Sequence, residues 1–203
     1  MRKTGLLLII ILLVSGLTAC GGGTPPATSV PANTPVPDVP VAPTLPALSQ
    51  SVTSQNGVSV NYPDGWLDPI ATIGVFLYNN ADGQATMSFL RARPGGLAFQ
   101  INSQPGSSGQ TEEELFDFTF SPLAEGMGIT LGEKEKIAFG DVVAIKAIGA
   151  NNSAASQIAI YTALKPAGED GYVTFVVYLH PDEIEAQTPL IEAILATTSY
   201  TRP

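Results

Sequence analysis

The stretch from residue 21 to residue 50 decides what this 203-residue chain can fold into. It holds eight prolines, three glycines and a single charge, Asp38. Its apolar residues follow neither a period of 2 nor one of 3.6, so they cannot assemble a buried face. The segment reads as a tether. Proline favours extended, solvated polyproline II, whose rise of ~3.1 Å per residue gives such a spacer a reach on the order of 90 Å when fully drawn out. No clean repeat of a proline-rich recognition motif occurs, so a spacer fits better than a ligand for aromatic grooves. Folding is thereby confined to 51–203, a length that suits one domain with its own core. Cys20 is the only cysteine, so the domain is held by that core and not by disulfides.

Upstream of the tether, Arg2 and Lys3 form a short positive region. Leu6 to Val14 is an unbroken apolar run, ended by Ser15 and Gly16. These are the parts of a secretory signal peptide. A membrane-spanning helix needs roughly 20 apolar residues, and Gly21-Gly22-Gly23 stop this stretch short of that length. Leu17-Thr18-Ala19-Cys20 resembles the bacterial lipoprotein signal, in which the cysteine thiol is alkylated by lipid and the cysteine becomes the first residue of the mature chain. The resemblance implies a signal peptide over 1–19, a lipidated Cys20 opening a tether over 20–50, and a globular domain over 51–203. It implies a palmitate-type anchor in the cell membrane, on the extracytoplasmic face of the cell envelope. A plain signal peptide or an uncleaved anchor with a chance cysteine at its end is the alternative.

The chain carries 9 Lys and Arg against 18 Asp and Glu. Without residues 1–19, which hold Arg2 and Lys3, the cations fall to 7 and the net charge to −11. Such a surface repels nucleic acid and anionic headgroups. No nucleic-acid partner is expected, and the membrane is reached through the lipid.

Within the domain, Val58-Ser59-Val60-Asn61-Tyr62 alternates as a half-buried strand should, and Pro63-Asp64-Gly65 breaks it before Trp66. Ile73 to Tyr78 reads as a second strand, Asn79 to Gly83 as a hairpin turn, and Thr86 to Ala92 as a third strand. The Gly- and Ser-rich stretch 93–110 reads as a loop around a short strand-like piece, Ala98 to Ile101. Thr111-Glu112-Glu113-Glu114 matches a capping box and opens a helix with Leu115, Phe118 and Leu123 on its apolar side. Pro122 threatens to split that helix, and Gly126 and Gly128 end it. Strands are expected over 129–139, 142–149, 156–165 and 172–179, with Gly140-Asp141 as a hairpin turn. His180 precedes Pro181 at a helix start. Pro189 interrupts that helix, Thr188 and Pro189 begin it afresh, and 197–201 offers a last strand. Short turns between successive strands mean antiparallel pairing. The class is α+β, a mostly antiparallel sheet flanked by helices.

Gly57-Val58-Ser59-Val60-Asn61-Tyr62-Pro63-Asp64-Gly65-Trp66 resembles the opening of PsbP-like domains, which include the extrinsic lumenal proteins of photosystem II and many bacterial relatives. Gly171-Tyr172-Val173-Thr174-Phe175 and the closing helix before a last strand, 191–199, fit the same pattern, and the element order covers all of 51–203. The resemblance implies an α-β-α sandwich. It also implies action by docking to other proteins, not by catalysis. No metal-binding or docking residue of the family maps onto a position here.

His180 is the only histidine, so a Ser-His-Asp site would have to use it; its place beside Pro181 suits a cap. Gly106-Ser107-Ser108-Gly109 has the wrong spacing for a nucleophile elbow. One histidine and no free cysteine exclude the common zinc sets. Calcium needs only carboxylates, but Glu112-Glu113-Glu114-Asp117 and Asp182-Glu183-Glu185 both sit at helix starts, where acids are favoured anyway. No metal or cofactor is expected. Arg91 and Arg93, on one expected strand face with Met87 and Phe89, are candidates to hold a carboxylate or phosphate; ion pairing with the acidic surface is the plainer role. Trp66 is expected as a core plug over the sheet edge. The function these features favour is a non-catalytic binding or assembly domain for a protein or envelope component. A small-molecule binding module and a hydrolase with an unrecognised site are the alternatives.

Overall fold

The computed structural model describes residues 44–89, 91–106, 109–167 and 171–203. The signal peptide, Cys20 and the tether as far as residue 43 lie outside the described residues, as do Ser107 and Ser108.

Gln50–Thr53 (β1) pairs antiparallel with Val58–Tyr62 (β2), Gln50 lying opposite Tyr62. Leu48, just before β1, packs against the core, so the folded chain begins slightly ahead of residue 51. Ile70–Ala71 (β3) and Val75–Tyr78 (β4) follow as an antiparallel pair.

The next element departs from expectation. Residues Ala81–Phe89 form a helix (α1), not a turn and a strand. Asn80 caps it, its Oδ1 accepting from the Gly83 N–H at 2.9 Å, which satisfies one of the orphan donors of the first turn. Asp82-Gly83, read as a hairpin pair, is therefore the first turn of a helix. The place beside β4 is taken by Ala98–Pro105 (β5), twice the length of the short piece expected there.

Glu112–Gly126 (α2) begins with the expected reciprocal cap: Thr111 Oγ1 accepts from Glu114 N–H at 3.2 Å, and Glu114 Oε2 from Thr111 N–H at 2.9 Å. Its buried stripe is Phe116, Phe120 and Ala124 with Leu115, while Phe118 is 69% exposed, contrary to the sequence reading. Pro122 does not split the helix. The carbonyl it leaves without a donor belongs to Phe118, on the solvent face, where water serves. Pro189 sits inside Ile184–Thr197 (α3) for the same reason, since Pro189 and Glu185, four residues before it, are both exposed.

Thr130–Leu131 (β6) and Glu135–Phe139 (β7) both pair with Val142–Asn151 (β8), and Gly140-Asp141 makes the expected hairpin. Ile158–Pro166 (β9) and Gly171–Leu179 (β10) pair along their length. A 3-10 turn, Pro181–Glu183, leads into α3, and Ser199–Tyr200 (β11) closes the fold against β2.

Among the described residues the large sheet runs β3-β4-β5-β10-β9-β8-β6, with β7 also on β8, and the small sheet runs β1-β2-β11. All their pairings are antiparallel. The pleat sorts side chains to two cores. Phe99, Ile101, Tyr161, Val173, Phe175 and Val177 face α3 and the small sheet. Ile145, Ile158, Ile160, Leu164, Val176 and Tyr178 face α1 and α2. Trp66 plugs the first core at 5.3 Å from the Phe99 ring. The class is the expected α+β, with a mostly antiparallel sheet between helical layers.

Candidate functional site

His180 follows β10 with extended backbone (φ −70, ψ 138), and its Nδ1 accepts from the Asp182 N–H at 3.3 Å. The imidazole thus caps the 3-10 turn, with Asp182 Oδ2 3.7 Å from the same nitrogen. It borders a polar hollow of about 320 Å³ with Asn152, Gln157 and Asp182. Among the described residues lining that hollow there is no serine, threonine or cysteine for the histidine to activate.

The arginine candidates lie close by in sequence to a turn that this end of the sheet holds tightly. Arg93-Pro94-Gly95-Gly96 closes with Gly96 N–H donating to Arg93 O at 3.0 Å, and Gly95 takes φ +80°, the left-handed value a type II turn needs at that place. Asn79 and Asn80 donate to the Gly95 carbonyl at 2.7 and 2.9 Å, and Glu183 Oε1 accepts the Gly95 N–H at 2.6 Å. Arg93 Nη1 reaches Asp82 Oδ1 at 2.9 Å, with its side chain 63% exposed. Arg91 is exposed and makes none of the ion pairs among the described residues. The strand face expected to carry both arginines with Met87 and Phe89 does not form, because the Asn80 cap places Met87 and Phe89 on α1. The plainer role, ion pairing, describes Arg93.

A larger opening lies at the far side of the sheet. The end of α2 builds it. Met127 is the C-cap, Gly128 takes φ +64°, Gly128 N–H donates to Glu125 O at 3.0 Å, and Ile129 N–H donates to Ala124 O at 2.8 Å. This double bond pattern is a Schellman ending, which needs a residue at ease in left-handed backbone. It turns the chain back so that 129–134 runs beside the last turns of the helix. Between them is a groove of about 340 Å³. Phe116, Ala124, Ile129, Leu131 and Ala147 make its apolar surface, and Asp117, Ser121, Glu125, Thr130 and Lys134 its polar rim. Asp117, Ser121 and Glu125 recur every fourth residue, one turn apart on a single helix face. Lys134 Nζ crosses to Asp117 at 2.8 and 3.0 Å. From the sequence Asp117 belongs with the solvated helix start, and Ser121 and Glu125 carry no motif. The signal was present in their spacing beside the apolar stripe Phe116, Phe120 and Ala124.

The face under α3 holds charge of another kind. Lys146 Nζ lies 2.9 Å from Glu192 Oε1 and 3.3 Å from Glu135 Oε2, and the fully buried Tyr161 hydroxyl donates to Glu192 at 3.3 Å. Burial, with Glu192 beside it, pushes the Tyr161 phenol well above its ordinary value. Burial alone would lower the Lys146 ammonium, but its bonds to Glu192 and Glu135 raise it overall. Lys165, 7% exposed, donates to the carbonyls of Leu195, Ala196 and Thr198 at 3.0, 3.1 and 2.7 Å. Burial lowers its pKa. Both sets fasten α3 to the sheet. Among the described residues no three His, Cys, Asp or Glu side chains gather to hold a metal ion.

No protein-family model matches the chain, and no curated protein matches it in sequence. The fold recurs among solved structures. The solution structure of cyanobacterial PsbP (CyanoP) from Synechocystis sp. PCC 6803 superposes with a TM-score of 0.54 at 10% identity, covering 79% of this chain and 98% of that one. A Bacteroides thetaiotaomicron protein gives 0.47 at 13% identity over 77% of this chain, which spans only 50% of that protein. A Pseudomonas aeruginosa protein of unknown function gives 0.41 at 15% identity over 71% of this chain and 92% of its own. The chain therefore has the PsbP-like fold that Gly57–Trp66 led us to expect; likeness at 10% identity speaks to fold alone.

Proposed function

We propose that this protein is a lipid-anchored extracytoplasmic lipoprotein whose PsbP-like domain binds a protein or envelope component without performing catalysis. The position of Cys20 carries the reading: the only cysteine of the chain ends the signal-like stretch and precedes a proline-rich spacer. A domain on such a leash meets partners at or near the membrane. The engagement of the only histidine as a turn cap supports binding over histidine-dependent chemistry. A small-molecule reading draws on the 340 Å³ groove, whose volume is of ligand size.

Cys20→Ala tests the anchor. A cysteine-borne lipid contributes ~0.8 kcal/mol per buried CH₂, so the variant should leave the membrane fraction or accumulate unprocessed, and should no longer incorporate labelled palmitate. A variant that is still cleaved and still membrane-bound would overturn the reading.

A further inference from the structure

We infer that the groove between α2 and β6 receives a basic side chain, lysine or arginine flanked by an apolar one, presented by a protein partner. The inference deepens the binding function proposed above and rests on it for the partner's class.

Three observations carry it. The first is shape: the groove is formed on one side by Phe116 and Ala124 of α2 and on the other by Ile129 and Leu131, with Ala147 contributing to its apolar surface. It is partly open to solvent. A free small ligand is usually buried over roughly 70–90% of its surface, which an open-sided groove does not provide. A side chain presented by a partner brings its own backbone to cover the mouth.

The second is charge. The rim holds two carboxylates and one cation. Lys134 is spent on Asp117, and Glu125 is in no ion pair among the described residues. An incoming guanidinium or ammonium finds Glu125 free. It can also take Asp117, since the Lys134 pair is partly exposed and weakly held. An incoming carboxylate meets Glu125 and a net charge of −9 over the whole chain.

The third is Phe118, next to Asp117 on α2. It stands outside the groove's lining, but two helical turns before Glu125 it shares that residue's side of the helix, and at 69% exposure it can anchor an apolar residue that flanks the basic one. Aromatic and arginine contacts dominate such interfaces.

The test uses the full lipidated chain in detergent micelles and a dye-labelled peptide, Gly-Ser-Phe-Arg-Phe-Ser-Gly, read by fluorescence anisotropy. The peptides with Gln or Glu in place of Arg serve as comparisons. Saturable binding of the Arg peptide is expected, weakening with salt. Glu125→Gln should lower its affinity roughly fivefold, and Ser121→Phe, which fills the groove from a half-exposed helix position, should abolish it. Glu185→Gln on α3 should leave it unchanged. Equal binding of the Gln peptide, or indifference to both Glu125→Gln and Ser121→Phe, overturns the inference. If phenethylamine alone binds as tightly as the peptide, the groove takes a small amine and the assignment to a protein partner falls. Cys20→Ala fractionation reads the anchor separately: a lipidated chain that ignores the peptide refutes this inference alone, and an unlipidated chain that binds it refutes only the anchor.

Discussion

The two faces of the large sheet carry similar residues and treat them differently. Under α3, cations are withdrawn from water and used up. Lys165 gives all three of its protons to backbone carbonyls of the helix end, and Lys146 sits between Glu135 and Glu192. Under α2, Lys134 lies at the rim of a groove and pairs with an exposed Asp117. The α3 face is closed by its charges. The α2 face is left open and keeps a carboxylate, Glu125, without an ion pair among the described residues. A domain that binds a partner needs one face that does not move and one that can exchange contacts. The difference fits the binding role proposed above, and it can be broken by substituting the same residue type on both sides.

The largest effect is expected at Lys165. Lys165→Met removes the ammonium, so the Ala196 and Thr198 carbonyls lose this donor while the Leu195 carbonyl keeps only the Thr198 N–H. Buried polar groups left unmade cost about 1–3 kcal/mol each, and a cation at a helix C-terminus adds to that. Neighbouring groups share the loss, so we expect about 3 kcal/mol from urea unfolding of the variant. A loss under about 1 kcal/mol would mean that water replaces the lysine and that the α3 face is not closed. Lys146→Met comes next, at about 2 kcal/mol, because the cation itself is only 13% exposed and its loss strands the buried Tyr161 hydroxyl beside a half-buried, unneutralised Glu192. A neutral result would place this cluster with ordinary surface pairs.

Much of this contrast was out of reach of the sequence, for physical reasons that differ by element. The alternation in Val58–Tyr62 and the cap at Thr111 are local, and both appear as read. Helix α1 was missed because Asn80, Asp82 and Gly83 serve a turn and a helix start equally well, and the choice falls to β5 occupying the edge of β4. Phe118 was placed inside because a helix start fixes the period but not the phase, and the phase is set by the strands beneath. The groove needs the Schellman ending at Gly128 and strand β6 together, so no single segment announces it. Lys165 reads as one more residue of a buried strand until α3 ends above it.

Two buried tyrosines allow a finer comparison. Tyr161 faces α3, and both burial and Glu192 hold its proton. Tyr178 lies on the opposite face, in the core shared with α1 and α2, where it donates to Gln100 at 3.1 Å and burial alone pushes its pKa up to about 12. Each phenol binds its proton more tightly in the folded protein than in the unfolded chain, whose tyrosines titrate near 10. The stability they contribute is therefore complete below pH 10 and is lost as the pH rises, at ~1.4 kcal/mol per pH unit for each tyrosine still protonated in the fold. For Tyr178 the loss should level off near pH 12, and for Tyr161 it should continue. Urea unfolding at stepped alkaline pH should show the slope reduced in Tyr161→Phe and in Tyr178→Phe, with the phenolate absorbance of Tyr178 rising first. Simultaneous ionisation of the two would erase the distinction between the faces.

The smallest effect is expected at Lys134, and its smallness is the point. Lys134→Met breaks a 2.8 Å ion pair. Both partners are solvated, however, the lysine side chain 32% and the aspartate 56% exposed, and exposed pairs contribute ~0.2–1 kcal/mol before salt screens them. A change within about 0.5 kcal/mol in unfolding free energy is expected at physiological salt. The same substitution frees Asp117, so affinity for the arginine peptide should hold or rise while stability barely moves. A stability loss as large as that of Lys146→Met would show that the groove is braced by its ion pair, and the α2 face would then be as closed as the α3 face.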